Sequence, residues 1–291
     1  WPGLKQLFAH HGLFGFKKLS TPLDGAVLNL TYIQLSFYFI SFIAVIYFVL
    51  KSINQTLETD AKILTNITAY IVRSSFWAVL IVGIADFIIS FLVVEKLAEP
   101  IFNEAIKINL VIPTFRITFI HFPLILISFV IGYFTRSVGF IWLAVLVVGS
   151  EFLIVLSRFI FEYEQAFQGD LVRFWYAALY LFASAYALIH EGHVRVDVLY
   201  TGFSERKKAW TNTIGSLLFG IPLCLIIIFL GMGGKASIIN GPVISFEITQ
   251  QGSNGLYLLY LMAVYLAVFA VTMLIQFTSY FMDSSHKLLK N

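Results

Sequence analysis

Long runs of apolar residues, separated by short polar segments, most constrain what this chain can fold into. A transmembrane helix needs about 20 predominantly apolar residues, and seven segments reach or nearly reach that length. Hydrophobic residues make up 59% of the sequence and charged residues only 12%, against about 25% charged in soluble domains. The sequence therefore predicts an all-α, polytopic transmembrane helical bundle. The predicted spans are roughly 28–50, 69–94, 116–134, 138–161, 171–190, 211–232 and 256–281.

The third predicted span carries the weakest signal. Arg116, His121 and Pro123 lie in its first half, and only the turn at 135–137 separates it from the fourth span. Charged residues are costly inside a bilayer. We nevertheless predict that this segment crosses, which gives seven crossings.

Three shorter segments have the composition of helices that lie at a membrane surface. Segments 1–20 and 95–112 mix charged and apolar residues at helical spacing and predict interfacial helices. Ser204 is a predicted N-cap for a short surface helix that leads into the sixth span. That helix begins with the cationic residues Arg206, Lys207 and Lys208.

Lysine and arginine residues in short loops predict the orientation, because such residues accumulate on the cytoplasmic side. The loop between spans five and six and the C-terminus are both basic, and two helices separate them. We therefore expect the C-terminus in the cytoplasm. Seven crossings then place Lys5, Lys17 and Lys18 on the outer side.

Composition and motifs argue against several functions. The net charge of +3 is scattered and forms no basic stripe for nucleic acid. The sequence has a single cysteine and no phosphate-binding glycine loop or nucleophile elbow. His190 and His193 flank Glu191 and Gly192, but this spacing does not match the zinc-protease pattern. We expect neither enzymatic activity nor a cofactor or metal.

Charged residues inside predicted spans are functional candidates by default. Asp86 lies in the second span, and Glu151 and Arg158 lie seven residues apart on one face of the fourth. They predict either ion pairs and polar networks between helices or a relay for protons or ions. No internal repeat and no pair of interrupted helices is visible, although such features are usual in transporters with their own substrate site.

A polar segment between spans five and six, 191–200, contains Arg195 and Asp197 two residues apart. An acidic and a basic residue lie at the start of the fifth span, and a Gly-His pair with a later Arg and Asp follows it. In chain order these residues are Asp170, Arg173, Gly192, His193, Arg195 and Asp197. In this pattern the chain resembles the small permease subunit of TRAP transporters, the DctQ-like or Q-type subunit. The resemblance covers a four-span core, 136–291, and leaves an N-terminal membrane extension of about three spans, 1–135.

This resemblance implies a tripartite secondary transporter. A periplasmic substrate-binding protein would capture an organic acid-like solute, and a large permease subunit would carry it by sodium symport. The small subunit would be a scaffold for the large one. The residues expected at an interface with partner or lipid are Asp170, Arg173, His193, Arg195, Asp197, Arg206, Lys207 and Lys208.

Two alternatives stay open at the level of the sequence. One is a self-sufficient ion-coupled or proton-coupled carrier that uses Asp86, Glu151 and Arg158. The other is a structural subunit of another membrane complex that has no role in transport.

Overall fold

A computed structural model describes residues 4–21, 23–135, 140–160, 162–189, 200–248 and 254–290, and these contain helices but no β-strand. The helices in chain order are α1 (Leu4–His11), α2 (Gly25–Ser52), α3 (Leu57–Val94), α4 (Glu104–Leu110), α5 (Pro113–Phe134), α6 (Phe140–Ile160), α7 (Ala166–Ile189), α8 (Glu205–Gly231), α9 (Asn240–Ser245) and α10 (Leu259–Lys290). The predicted all-α class is confirmed.

Within the described ranges, seven helices are long and apolar enough to span a membrane: α2, α3, α5, α6, α7, α8 and α10. They coincide with the seven predicted segments. The doubtful third segment is a helix of 22 residues, Pro113–Phe134. Its charged residues do not interrupt it, because they face the protein interior.

The chain divides into two compact units, residues 1–56 and 57–291. The first contains α1 and α2. Within it, the Leu23 N–H donates to His10 Nδ1 at 3.2 Å, and His11 Nε2 lies 2.7 Å from the Tyr32 hydroxyl. The histidine pair thus connects α1 to the chain around α2. The predicted division of the sequence at residue 135 falls inside the second unit and stays a prediction.

The second unit is an antiparallel bundle in which α3 and α10 are the central helices. Trp175 of α7 donates to the Val79 carbonyl of α3, and Thr65 of α3 lies 2.8 Å from Ser279 of α10. Aromatic and aliphatic side chains of α3, α7 and α10 form the main core. The fully buried Val82, Phe167 and Phe174 lie at its centre.

Two of the long helices contain a π-helical turn just before a proline. The turns are Ile117–His121, followed by Pro123, and Ser216–Gly220, followed by Pro222. Proline has no backbone N–H to continue an α-helical ladder, and a π-turn accommodates the change while the helix continues. α5 and α8 are therefore continuous across their prolines.

The surface segments match the predictions only in part. In 95–112, helix is limited to Glu104–Leu110, so the prediction of a helix over the whole segment was wrong. Lys96 has a left-handed backbone with φ of 58°, and Pro100 lies before the helix. Asn103 is the N-cap of the helix, and its side chain accepts from the Ile106 N–H. Ser204 occupies the N-cap position of α8, but its side chain makes no capping hydrogen bond.

Close packing of α3 against α5 depends on Gly132. A Cβ at this position would lie 2.9 Å from the Ser74 Cα and would also meet the Ser74 Oγ. Small residues at such crossings let membrane helices approach closely. Because the opposing atom is backbone, it cannot move aside unless the two helices separate.

We expect Gly132→Val to destabilise the protein by about 1–3 kcal/mol, the usual cost of overpacking. Thermal unfolding in detergent measures this change. Gly215→Val is the matched control, because a Cβ at Gly215 of α8 meets no atom within 4 Å. Equal stability of the two variants would contradict a close α3–α5 crossing at Gly132.

Candidate functional site

A buried charge cluster joins α3, α5 and the start of α10 around Asp86. Asp86 Oδ1 accepts from Arg116 Nη1 at 2.9 Å and lies 3.0 Å from His121 Nε2. Its Oδ2 accepts from the Tyr257 backbone N–H at 2.7 Å. Asp86, Arg116 and His121 are each at most 1% exposed. Three elements thus meet at a single carboxylate.

The π-turn in α5 explains how Arg116 and His121 reach the same carboxylate. Five residues apart in an α-helix, two side chains point about 140° away from each other. The π-turn closes with the Phe122 N–H donating to the Ile117 carbonyl, five residues back, which brings residues at this spacing to one face. Without this turn, one of the two side chains would point away from Asp86.

Arg116 makes three further contacts. Its Nε donates to the Leu110 carbonyl at 3.1 Å, and its Nη1 donates to Ser90 Oγ at 2.9 Å. Its guanidinium lies 3.9 Å from the centre of the Tyr257 ring. The Tyr257 hydroxyl donates in turn to the Val111 carbonyl at 3.0 Å. The cation is therefore fixed in position by hydrogen bonds and by an aromatic face.

His121 extends the cluster to Tyr260 of α10. An ionised Asp86 only accepts hydrogen bonds, so the His121 Nε2 must carry the proton that it shares with the carboxylate. In a ring that carries only this proton, Nδ1 would accept from the Tyr260 hydroxyl, which lies 3.1 Å away. In this state Asp86 and Arg116 cancel each other's charge, and every hydrogen bond is made within the protein.

A second buried carboxylate, Asp170 of α7, binds the backbone N–H of Leu256, the residue before Tyr257. Its Oδ2 accepts from the Leu256 N–H at 3.1 Å, beside the Tyr257 N–H that binds Asp86. Leu258, which precedes α10, accepts from the N–H groups of Leu261 and Met262. Negative groups stabilise the N-terminal end of a helix, so both carboxylates help to fix the start of α10.

The other predicted intramembrane charges lie elsewhere. Glu151 is exposed on α6, and Arg158, also exposed, pairs with Glu164 in the following loop. The described residues therefore do not bring Asp86, Glu151 and Arg158 into one site. Of the two sequence-based interpretations, the structure favours a polar network between helices for Asp86.

The predicted interface residues are spread over both ends of the bundle. Arg173 is largely exposed, with its Nη1 3.7 Å from the Asp170 carboxylate. Arg206 and Lys207 are exposed at the start of α8, where Lys208 pairs with Glu205 at 3.0 Å. His193, Arg195 and Asp197 lie outside the described residues, as do His190, Glu191 and Gly192. Their expected role at an interface stays a prediction.

A polar cavity lies at the opposite end of the bundle, between α3, α7 and α10. It measures about 430 Å³, and its walls include Lys62, Thr65, Asn66 and Gln276. Thr65 and Ser279 are hydrogen-bonded to each other, and Ser279 Oγ donates to the Ala61 carbonyl at 2.7 Å. Hydroxyl groups thus connect the first turns of α3 to the C-terminal half of α10, far from Asp86.

Together the fold and the cluster define a polytopic α-helical membrane protein in which the buried Asp86 and Arg116 are paired with each other. Residues 145–281 match the family of tripartite ATP-independent periplasmic transporters, DctQ component. The resemblance seen in the sequence, to the small permease of TRAP transporters, is thereby confirmed for this region. No curated protein matches the chain. No solved structure matches it.

The sequence predicts Asp86 as a functional candidate but does not predict its partners. In the sequence, Arg116 and His121 only weaken the prediction of the third span. A spacing of five residues does not place them on one face of an α-helix. The available signal was His121-Phe122-Pro123, because a proline in a span permits a π-turn upstream of it. Asp170 was predicted at an interface, and its bond to the Leu256 backbone has no side-chain signature in the sequence.

We expect Asp86→Leu to destabilise the protein by about 3–5 kcal/mol, because it leaves the Arg116 cation buried without a counter-charge. Asp86→Leu/Arg116→Leu should regain part of that loss, and thermal unfolding in detergent measures both. Glu58→Gln, which breaks an exposed pair with Lys62, is the control and should change stability little. A double variant no more stable than the single one would show that the charge pair is not the source of the stability.

Asp170→Asn should destabilise the segment before α10 by about 1 kcal/mol, because a neutral amide oxygen accepts a weaker hydrogen bond from the Leu256 N–H than a carboxylate does. The expected readout is faster amide hydrogen exchange at Leu256 and Tyr257. The control is exchange at Ser279 and its neighbours, near the other end of α10, which should stay unchanged. Unchanged exchange at Leu256 would contradict a stabilising hydrogen bond from its N–H to Asp170.

Proposed function

We propose that this chain is the small membrane subunit of a TRAP-type secondary transporter and that it scaffolds the large permease subunit. The observation that carries the proposal is the match of residues 145–281 to the DctQ component of such transporters. The large subunit would carry the substrate and sodium sites. A periplasmic binding protein would deliver the solute, which in this class of system is organic acid-like.

The internal chemistry of the chain supports a scaffold. Asp86 and Arg116 are closed into a network with protein donors and acceptors, which gives a rigid bundle and leaves their charges engaged. A relay requires several groups that can exchange protons in sequence. Glu151 and Arg158 lie on a different helix from Asp86, so the self-sufficient carrier receives no support from the described residues.

The proposed orientation places the C-terminus in the cytoplasm of a bacterium, with the chain in the inner membrane. The basic residues of the α8 start and those at the end of α10, Lys287 and Lys290, lie at one end of the bundle, because Tyr280, Asp283 and Lys287 of α10 line a cavity together with Lys208. Such a cluster favours the cytoplasmic side. Arg195 and Asp197 lie between α7 and α8 in the sequence, and we propose that their segment braces the subunit against lipid headgroups or the large subunit.

Reconstitution into liposomes tests the proposal. The chain alone should give no solute uptake. The chain combined with the large permease encoded alongside it, and with the cognate binding protein, should give uptake that depends on an inward sodium gradient. The permease without this chain is the matched control and should be less active.

Uptake by the isolated chain would overturn the proposal in favour of a carrier. Stable assembly with subunits of a different membrane complex, without any permease, would instead favour a structural subunit of that complex that has no role in transport.

A further inference from the structure

Arg73 of α3 is a half-buried cation to which the described residues supply no counter-charge. Its Nε lies 3.5 Å from the Gly132 carbonyl, at the outer limit for a hydrogen bond. By contrast, Arg116, Arg158 and Arg173 each lie beside a carboxylate. A guanidinium has five N–H donors, so the charge and most of the donors of Arg73 are free to bind an anion from outside the chain.

The packing of Arg73 places it at the level of a membrane surface. Arg73 and its neighbour Ser74 lie against Gly132, close to the end of α5 at Phe134. Both α5 and α6 are long enough to span the membrane, and only residues 135–139 separate them in the sequence. Because a connection between two spans cannot lie among lipid tails, the end of α5 marks the membrane surface. Arg73 is therefore at the depth of phospholipid headgroups.

α3 continues past the end of α5 and is not covered by it there. α3 has 38 residues and α5 has 22, which correspond to about 57 and 33 Å along the helix axis. Residues 57–72 of α3 thus extend about 24 Å beyond the level of Arg73. The side of α3 that faces α5 deeper in the bundle is left open along this stretch.

A cavity of about 730 Å³ occupies this open side. Its α3 wall is a stripe of residues three or four apart, one face of a helix: Ile63, Asn66, Ile67, Tyr70 and Arg73. The last turn of α5 contributes Tyr133 and Phe134. Side chains of a helix lean toward its N-terminus, so Arg73 extends into the cavity from its deep end.

The chemistry of the wall favours an anion. Arg73 is the one charged residue among the described residues that line the cavity. The Asn66 amide and the Tyr133 hydroxyl form no hydrogen bond within the described ranges, and Tyr133 is 72% exposed. The Tyr70 hydroxyl is already engaged, because it donates to the Phe129 carbonyl at 3.1 Å. The cavity therefore offers one cation, two free polar side chains and several apolar ones.

We propose that this cavity binds the headgroup of an anionic phospholipid, with the phosphodiester on the Arg73 guanidinium. The planar guanidinium matches two phosphate oxygens at once. A headgroup that also carried an ammonium would need a carboxylate, which the described wall lacks. Phosphatidylglycerol instead ends in hydroxyl groups, which Asn66 and Tyr133 can bind. The site lies outside residues 145–281, and it does not depend on the proposed function.

Native mass spectrometry of the full chain in detergent, with equal amounts of phosphatidylglycerol and phosphatidylcholine, tests the site. The wild type should retain phosphatidylglycerol in preference. Arg73→Gln should lower that retention about tenfold, as expected for the loss of a charge-assisted hydrogen bond. Arg73→Lys, which keeps the charge, should retain part of it. Arg158→Gln is the matched control and should change nothing, because Arg158 already has Glu164 as its partner.

A second variant leaves the charge in place and fills the cavity. Ile67 is 41% exposed on the wall, so Ile67→Trp should be accommodated without disturbing the core and should also lower retention. Thermal unfolding gives an independent readout, because a ligand that binds only the folded state stabilises it. Added phosphatidylglycerol should raise the unfolding temperature of the wild type and of Arg158→Gln, but not that of Arg73→Gln.

Three results would overturn the proposal. The first is equal retention of phosphatidylglycerol by the wild type, Arg73→Gln and Ile67→Trp. The second is equal retention of the two lipids by the wild type, which would indicate a non-selective lipid surface. The third is the same rise in unfolding temperature with inorganic phosphate alone, which would indicate a site for a free anion.

Discussion

A single charge that cannot reach water organises this bundle. Removing an ion from water costs several kcal/mol, and only excellent geometry with additional hydrogen bonds recovers that cost. Asp86 meets the condition by accepting from Arg116 and from the Tyr257 backbone, with His121 on its remaining side. Because those donors come from α5 and from the start of α10, the position of either element cannot change without breaking the pairing. Apolar side chains of α3, α7 and α10 pack around this fixed point.

The cluster also relates the two parts of the sequence to each other. Asp86, Arg116 and His121 precede the region that matches the DctQ component, whereas Tyr257 and Tyr260 lie inside it. The start of α10 is held jointly by Asp170 from the matching region and by Asp86 from outside it. The additional helices α3 and α5 are therefore structural parts of the same bundle, although their sequence lies outside the family match.

Much of the fold could be predicted because hydrocarbon thickness sets helix length. Seven apolar runs gave seven long helices, including Pro113–Phe134 despite its charges. The approach of both Arg116 and His121 to Asp86 could not be predicted from α-helical periodicity, because the π-turn changes the angle between the two side chains. The bond from Asp170 to the Leu256 backbone was equally hidden, because a main-chain donor is the same at every residue. The prediction of a helix over 95–112 was wrong outside Glu104–Leu110, because the left-handed backbone of Lys96 and the proline at position 100 prevent an earlier helical start.

The sequence separation within the cluster has a consequence for how the protein enters its membrane. Asp86 and Arg116 are only 30 residues apart, whereas Asp86 and the Tyr257 backbone are 171 apart. α3 and α5 can therefore enter the bilayer as a hairpin whose two opposite charges already neutralise each other, before most of the chain has been synthesised. When α10 is inserted last, the Tyr257 backbone N–H completes the hydrogen bonds of Asp86. Asp86 and Arg116 can thus enter the membrane without either charge having to rest alone in lipid.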